Sequence, residues 1–382
     1  MKTSIPHFIE WRKTMATGTR RYVGLDLAKR TMEVCILSDE EASLSMSGVK
    51  TDESGRKRLV KFLKQTDVVG MEACAYAFML KRYLDKEVRC TVYILNPGKL
   101  QMIWKSTRKT DKDDARKIAS FIQRYPEEEL PLVAMPSEEE AELRKYVSMK
   151  GYLTKVRTSL INRLHAIYVQ EGITDVKKSN LRTSAKRLEQ QQELGESQKI
   201  FAEILEKELE ITEEQLQKID NEIKARVASN ELAPYVMSIP GVGIGVAAAF
   251  LAYVGDGSRF SKASEVANYV GFVPRIDSSG ETNRYGSITK TGCQALRGVI
   301  VQSAWSLLRC TENGGRLREK LFLMRERIGK TKSAVAIARK MVTLMWVLVR
   351  RKEFYADCKR EQLEIKFRKY KLNYEGWESK SA

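Results

Sequence analysis

Histidine is nearly missing from this 382-residue chain, with only His7 and His165 present. A histidine-built metal centre is thereby excluded, and a Ser/His/Asp triad would have to recruit one of two poorly placed imidazoles. The six cysteines, Cys35, Cys74, Cys90, Cys293, Cys310 and Cys358, never form a CxxC pair. That removes the common zinc and dithiol spacings and makes reduced, packed thiols the expectation. No apolar run reaches the roughly 18 residues that cross a bilayer, and residues 1–20 hold no continuous apolar core, so neither a membrane span nor a secretory signal is expected. A cytoplasmic protein follows from these absences. Wholesale disorder is excluded as well, because 43% of the residues are hydrophobic.

Positive charge is abundant. Lys and Arg total 67 against 49 Asp and Glu, a net charge of +18, which implies an anionic polymer as partner. The excess is concentrated near the end: residues 316–371 hold 18 Lys and Arg against 6 Asp and Glu.

The length suits two or three domains. From Arg21 the pattern alternates. Residues 22–26, 32–37 and 43–49 read as a three-strand meander, followed by a basic amphipathic helix over 53–65 and a buried strand over 68–71. A helix over 76–84, a strand over 91–95 and a helix from Thr110 toward Arg124 complete a mixed-sheet α/β domain spanning 21–131. Residues 137–229 are helical in pattern, with Ser137 and Glu140 as a capping box. Within them Ala202, Leu205, Leu209, Thr212, Leu216, Ile219 and Ile223 step by three and four, a heptad seam. The seam fits an intramolecular antiparallel helix pair and a dimer equally well. Residues 235–370 read as mostly helical with Gly-rich breaks, while 1–20 and 372–382 read as a leader and a tail.

The chemistry-bearing residues fall into four places. Asp26 ends the apolar strand Val23-Gly24-Leu25-Asp26, and Glu72 follows Val68-Val69-Gly70-Met71. A strand-end Asp alone reads as a turn former. Lys109-Thr110-Asp111-Lys112-Asp113-Asp114-Ala115 opens a helix on which Asp111 and Asp114, three apart, share one face. Compensation of the helix dipole is the bland account of such acids. Together, Asp26, Glu72, Asp111 and Asp114 offer hard oxygen donors for one or two magnesium ions, which activate a phosphodiester without histidine. Further on, Ile239-Pro240-Gly241-Val242-Gly243 with Ala247-Ala248-Ala249 is a helix-hairpin-helix-like signature. There Gly241 and Gly243 would let backbone N–H groups approach a phosphate.

The order Gly24-Leu25-Asp26, then Glu72, then Lys109-Thr110-Asp111 with Asp114-Ala115 resembles the DEDD-type transposases of bacterial insertion sequences, which are similar to the Piv DNA invertases. The later run, Gly271-Phe272-Val273-Pro274-Arg275, Ser278-Ser279-Gly280, Gly286-Ser287-Ile288-Thr289-Lys290 and Gly292 with Leu296-Arg297, looks like the second conserved domain of that family. The resemblance covers about residues 20–355. It implies an N-terminal RuvC-like, ribonuclease H type fold whose tetrad, Asp26, Glu72, Asp111 and Asp114, holds Mg2+, with Asp113 outside the pattern. It also implies that Ser279, in a Gly-flanked loop, is a nucleophile that forms a phosphoserine link to DNA. Ser278, one residue earlier, falls where the family varies.

The implied partners are donor and target double-stranded DNA and a structured noncoding guide, the bridge RNA. The implied assembly is a homodimer that builds a tetramer at the bacterial nucleoid. Arg284, Lys290 and Arg297 are the expected phosphate contacts near the serine, with solvated surface charge as the alternative. Two other functions stay open: a junction-resolving metal nuclease that needs no serine, and a nucleic-acid scaffold, which leaves four acids unexplained beside a polyanion.

Overall fold

The computed structural model describes residues 20–38, 44–103, 111–191, 193–279, 282–309 and 314–372, with the backbone alone described at 101–103, 111, 276–279, 282, 283 and 285. The chain divides into two compact units, Met1–Met135 and Pro136–Ala382.

The first unit is built on a five-stranded mixed sheet. Strands β1 (Arg21–Leu27), β2 (Thr31–Ser38) and β3 (Leu44–Lys50) form the expected antiparallel meander; β4 (Val68–Glu72) lies parallel to β1, and β5 (Thr91–Leu95) parallel to β4. The spatial order is β3-β2-β1-β4-β5. Four helices accompany it: α1 (Glu53–Phe62), α2 (Ala75–Glu87), α3 (Pro97–Ile103) and α4 (Asp111–Arg124). Side chains alternate across the sheet and feed two cores. Val23, Leu25, Val69, Met71, Val92 and Ile94 pack with Leu59 of α1 and Leu80 and Leu84 of α2. Their neighbours Tyr22, Val68, Tyr93 and Leu95 pack instead with Ile118, Phe121 and Ile122 of α4. Central strands buried on both faces explain the near-continuous apolar text of β1 and β4.

A buried ion pair pins the strand starts. Arg21 donates from Nε and Nη2 to the two carboxylate oxygens of Asp67 at 2.9 and 2.6 Å, and Nη2 also reaches the Phe62 carbonyl at 2.8 Å.

The second unit opens with two 33-residue helices, α5 (Glu138–Gln170) and α7 (Glu196–Ala228), separated by the short α6 (Ser184–Gln191). The capping box forms as expected: the Glu140 N–H donates to Ser137 Oγ, and the Ser137 N–H to Glu140. Ion pairs Glu142–Arg226, Lys150–Asp220 and Arg157–Glu213 ascend one helix while descending the other, so α5 and α7 are antiparallel. The heptad seam faces α5, with Ala202, Leu209 and Ile223 at 0–1% exposure. The intramolecular reading of the seam is therefore the one this fold realises.

At the far end of the hairpin Arg187 of α6 is fully buried. It donates to Glu206 at 2.5 Å and to Glu213 at 3.1 Å, and Arg157 shares Glu213 at 2.9 Å. The linking chain is thus tied across the tip by charge as well as by Leu181, Val176 and Leu194.

The remaining elements are α8 (Ala233–Met237), α9 (Ile244–Tyr253), α10 (Ala263–Val270), β6 (Pro274–Ser279), β7 (Thr282–Ile288), α11 (Gln294–Leu307), α12 (Gly315–Ile328), α13 (Lys330–Arg351) and α14 (Arg360–Tyr370). Ala247, Ala248, Ala249 and Ala252 of α9 are fully buried, because methyl-sized side chains let α9 sit close to its neighbours at the centre of the cluster. The region is mostly helical as expected, with the β6–β7 hairpin set among its Gly-rich breaks. Among the described residues no helix is long and apolar enough to cross a membrane, and the five described cysteines are free, as expected; Cys310 lies outside the described residues.

Candidate functional site

Asp26 and Glu72 occupy matching places on neighbouring parallel strands. Gly24 pairs with Gly70 and Leu25 with Met71, so the same register carried one step further brings Asp26 beside Glu72. Both strands thus carry Gly-x-acid at their carboxyl ends, with Glu72 last in β4 and Asp26 one residue before the last of β1. Because strand side chains alternate, each acid projects from the same sheet face as the glycine two residues before it.

That face is the one α4 covers, and the glycines explain how closely. A Cβ on Gly24 would lie 2.0 Å from the Ala115 carbonyl oxygen and 2.5 Å from the Ala119 nitrogen, so the helix backbone rests directly on β1. A Cβ on Gly70 would meet Ile122 at 2.9 Å and Ile118 at 3.1 Å. The same two isoleucines continue to Tyr22 and Val68 near the strand starts, which leaves the first turn of α4 toward the strand ends.

Asp114 immediately precedes Ala115 and is half-buried, whereas Asp113 is exposed. The structure therefore separates the two adjacent acids as the helical spacing predicts. Asp111, the first residue of α4, is described by its backbone alone. Asp114 Oδ1 accepts from Lys117 Nζ at 2.6 Å. Asp26 is also paired in register with Glu33 of β2. Like charges directly opposite each other are unfavourable in a sheet.

The donor set is all carboxylate oxygen, the chemistry a hard divalent cation requires. Among the described residues no three His, Cys, Asp or Glu side chains gather into a group that could hold a metal ion. The Asp111 side chain, one of the four expected donors, is not among those described.

The second set of site residues lies in the other unit. Ser279 is the last residue of β6, paired with Thr282, and Ser278 is paired with Asn283. The expectation of a loop is corrected: the serines sit at the closed end of a hairpin, and the intervening Gly280 and Glu281 lie outside the described residues. The signal was the period-two alternation of Ile276 and of Thr282, Arg284, Gly286 and Ile288, masked by four glycines and serines nearby.

Arg284 is exposed on β7 opposite Asp277, and Lys290 is exposed with φ of 56°. Arg297 is half-buried and takes part in the fold. Its Nη1 donates to the Val270 carbonyl at 2.9 Å, closing the carboxyl end of α10. Gly241 likewise serves the fold: with φ of 80° it turns the chain between α8 and α9, and its carbonyl accepts from Ser303 Oγ at 2.7 Å. Gly243 caps α9 with open space where a side chain would be, which leaves its backbone approachable.

A mixed α/β unit with carboxylates near the ends of two adjacent parallel strands is followed by a larger, mostly helical unit. The comparisons make this arrangement particular. A family model described as a transposase, of the DEDD type of IS110 elements, matches residues 23–171, and one described as the transposase IS116/IS110/IS902 family matches residues 233–319. The chain belongs to this family of insertion-sequence transposases and is a DNA transposase or recombinase.

It is 27% identical over 349 residues to a transposase for insertion sequence element IS1111A of Coxiella burnetii, covering 88% of this chain and 91% of that one. A probable family 20 transposase of Pseudomonas aeruginosa is 26% identical, with 87% and 98% covered. The pilin gene-inverting protein of Moraxella bovis is 24% identical, with 87% and 96% covered.

Proposed function

We propose that this transposase cuts and rejoins DNA through a phosphoserine intermediate at Ser279, with magnesium held by Asp26, Glu72, Asp111 and Asp114. The observation that carries the reading is the pair of Gly-x-acid strand ends beneath the first turn of α4. On this reading the first unit takes the RuvC-like, ribonuclease H type fold, and α8 and α9 supply the helix-hairpin-helix-like element. The three domains run over 21–131, 137–229 and 235–370, with a leader before and a tail after them. When bound, magnesium supplies polarisation of the phosphodiester and neutralises charge on its oxygens.

The chain's own residues do the rest. Ser279 Oγ forms a bond to phosphorus while one P–O ester bond of the strand breaks; the hydroxyl proton leaves Oγ, and the departing strand oxygen takes up a proton. Rejoining reverses the roles, with a strand hydroxyl attacking and Ser279 leaving. The exposed cations Arg284 and Lys290 neutralise the nonbridging oxygens as charge builds there. Selection of donor and target by a structured noncoding RNA agrees with the large positive charge and with the lack of any zinc finger or confident helix-turn-helix in the sequence. Exposed Ile200, Ile204 and Ile211 on the outer face of α7 support assembly of two copies and then four. The site of action is the nucleoid in the bacterial cytoplasm.

Cleavage of labelled DNA in magnesium tests the tetrad. Asp26→Asn, Glu72→Gln, Asp111→Asn and Asp114→Asn should each abolish cleavage while the protein stays folded, with Asp114→Asn also giving up its ion pair with Lys117. Asp113→Asn, at an exposed position, should stay active. Full activity of Asp114→Asn, or equal loss at Asp113, contradicts the assignment.

A further inference from the structure

Lys117 stands three residues after Asp114 on α4, and its Nζ donates to Asp114 Oδ1 at 2.6 Å. The spacing makes the two side chains neighbours on the helix surface. They flank the buried face of Ala115, Ile118, Ala119 and Ile122 that rests on the sheet.

Water reaches the helical ion pairs of this unit unequally. Glu53 and Lys57 of α1 leave 70% and 66% of their side chains exposed, whereas Asp114 and Lys117 leave 33% and 27%. Bulk solvent therefore screens the second pair less than the first. The Asp114–Lys117 contact is charge-assisted as well, the stronger kind of hydrogen bond.

The bland account is a pair that steadies α4. It passes over where the pair lies. Asp114 directly precedes Ala115, whose carbonyl oxygen is what a Cβ on Gly24 would strike, and Asp26 follows Gly24 by two residues. On the proposed reading Asp114 is one of four carboxylates that share a divalent cation, and its Oδ1 already carries an ammonium.

Two cations on one carboxylate repel each other, and an oxygen that accepts from Lys117 has less lone-pair capacity left to ligate. We infer that Lys117 is the counter-ion of Asp114 and competes with the divalent cation for it, so that this lysine sets the metal concentration at which the acidic site fills. Lys117 acts through Asp114 and is a positioning residue. It balances one member of a group of acids that repel one another, and it gives way into solvent on its flexible stem as that carboxylate turns to metal. No buried side chain has to move for this, because Lys117 lies outside the packed face of α4. The inference rests on the assignment of Asp114 as a metal ligand.

The test is a titration of the full-length protein with Mn2+, a hard cation suited to carboxylate oxygen whose free form is counted by electron paramagnetic resonance. The proteins compared are the wild type, Lys117→Met, Lys117→Arg, Lys112→Met and Asp114→Asn. Lys117→Met should bind Mn2+ about fivefold more tightly, the factor that loss of one competing ion pair corresponds to, and should melt with the wild type. Lys117→Arg keeps a cation within reach and should bind as the wild type does. Lys112→Met removes the same charge from an exposed position of the same helix and should change the affinity much less.

Unchanged or weaker Mn2+ binding by Lys117→Met overturns the competition and leaves the acidic site standing. Equal tightening in Lys112→Met overturns the role of the particular contact, since net charge alone then explains the effect. Tightening in Lys117→Arg as large as in Lys117→Met does the same. A wild-type protein that takes up no Mn2+, or an Asp114→Asn variant that binds it as the wild type does, overturns the underlying assignment of Asp114 instead.

Discussion

Replacing Gly24 with alanine probes the contact that carries the acids of α4 to those of the sheet. The new methyl carbon would lie 2.0 Å from the Ala115 carbonyl oxygen and 2.5 Å from the Ala119 nitrogen. Ordinary contact begins near 3.4 Å, so the helix backbone must withdraw by about 1.4 Å. Neither obstacle is a side chain that can change rotamer. Overpacking of this kind costs about 1–3 kcal/mol. The displaced residue, Ala115, directly follows Asp114, and a misplacement of about 1 Å at a reacting centre costs roughly 100-fold in rate.

Gly24→Ala should therefore lose about two orders of magnitude in DNA cleavage while remaining folded by circular dichroism and thermal melting. Gly70→Ala is the graded comparison. Its methyl meets only the Ile118 and Ile122 side-chain carbons, at 2.9–3.1 Å, which can shift by a few tenths of an ångström. Its loss should be much smaller. Wild-type cleavage and stability in Gly24→Ala would refute the view that this close approach positions the site.

Two further outcomes concern stability. Arg187→Met strands the buried Glu206 carboxylate and should cost about 3–5 kcal/mol in urea unfolding; a change under about 1 kcal/mol would show that the tip of the α5–α7 hairpin does not depend on that charge network. Burial pushes the Cys90 thiol up to about 11 and the Tyr168 phenol up to about 12. Both protons are held more tightly in the folded chain, so their contribution is complete below the unfolded values of about 8.5 and 10 and is lost as pH rises through the folded ones. The melting temperature should fall steadily from about pH 9 upward, and a rise over that range would contradict the sign.

The first unit was legible because its residues obey one period at a time. Val23, Leu25, Val69 and Met71 alternate with Tyr22, Gly24, Val68 and Gly70, and the burial of both sets matches two helix-covered faces. The acids Asp26 and Glu72 were visible as strand-end carboxylates, yet the reason for their glycines was not, since a close approach involves Ala115 and Ala119 some 90 residues away. The heptad seam declared a stripe without declaring its partner. Only the cross-helix pairs Lys150–Asp220 and Arg157–Glu213 settle that α5 fills the role.

Arg187 and Arg297 were illegible for one shared reason: an arginine in sequence reads as a solvated or ligand-binding charge. Arg187 is instead enclosed by two glutamates, and Arg297 donates from Nη1 to the Val270 carbonyl. The β6–β7 hairpin was hidden because Ser278, Ser279 and Gly280 favour turns locally, while strand pairing from Pro274 to Ile288 is a cross-chain property.

The central claim is the covalent serine link, and denaturing electrophoresis of labelled DNA incubated with the protein and magnesium addresses it most directly. The proposed chemistry predicts a protein–DNA adduct in the wild type whose linked peptide maps by mass spectrometry to Ser279, with no adduct in Ser279→Ala, a variant whose melting temperature should be nearly unchanged. An adduct at Ser278 would move the role by one residue. Strand cleavage with no adduct at any serine would contradict the claim and leave a metal-dependent junction-resolving nuclease in its place.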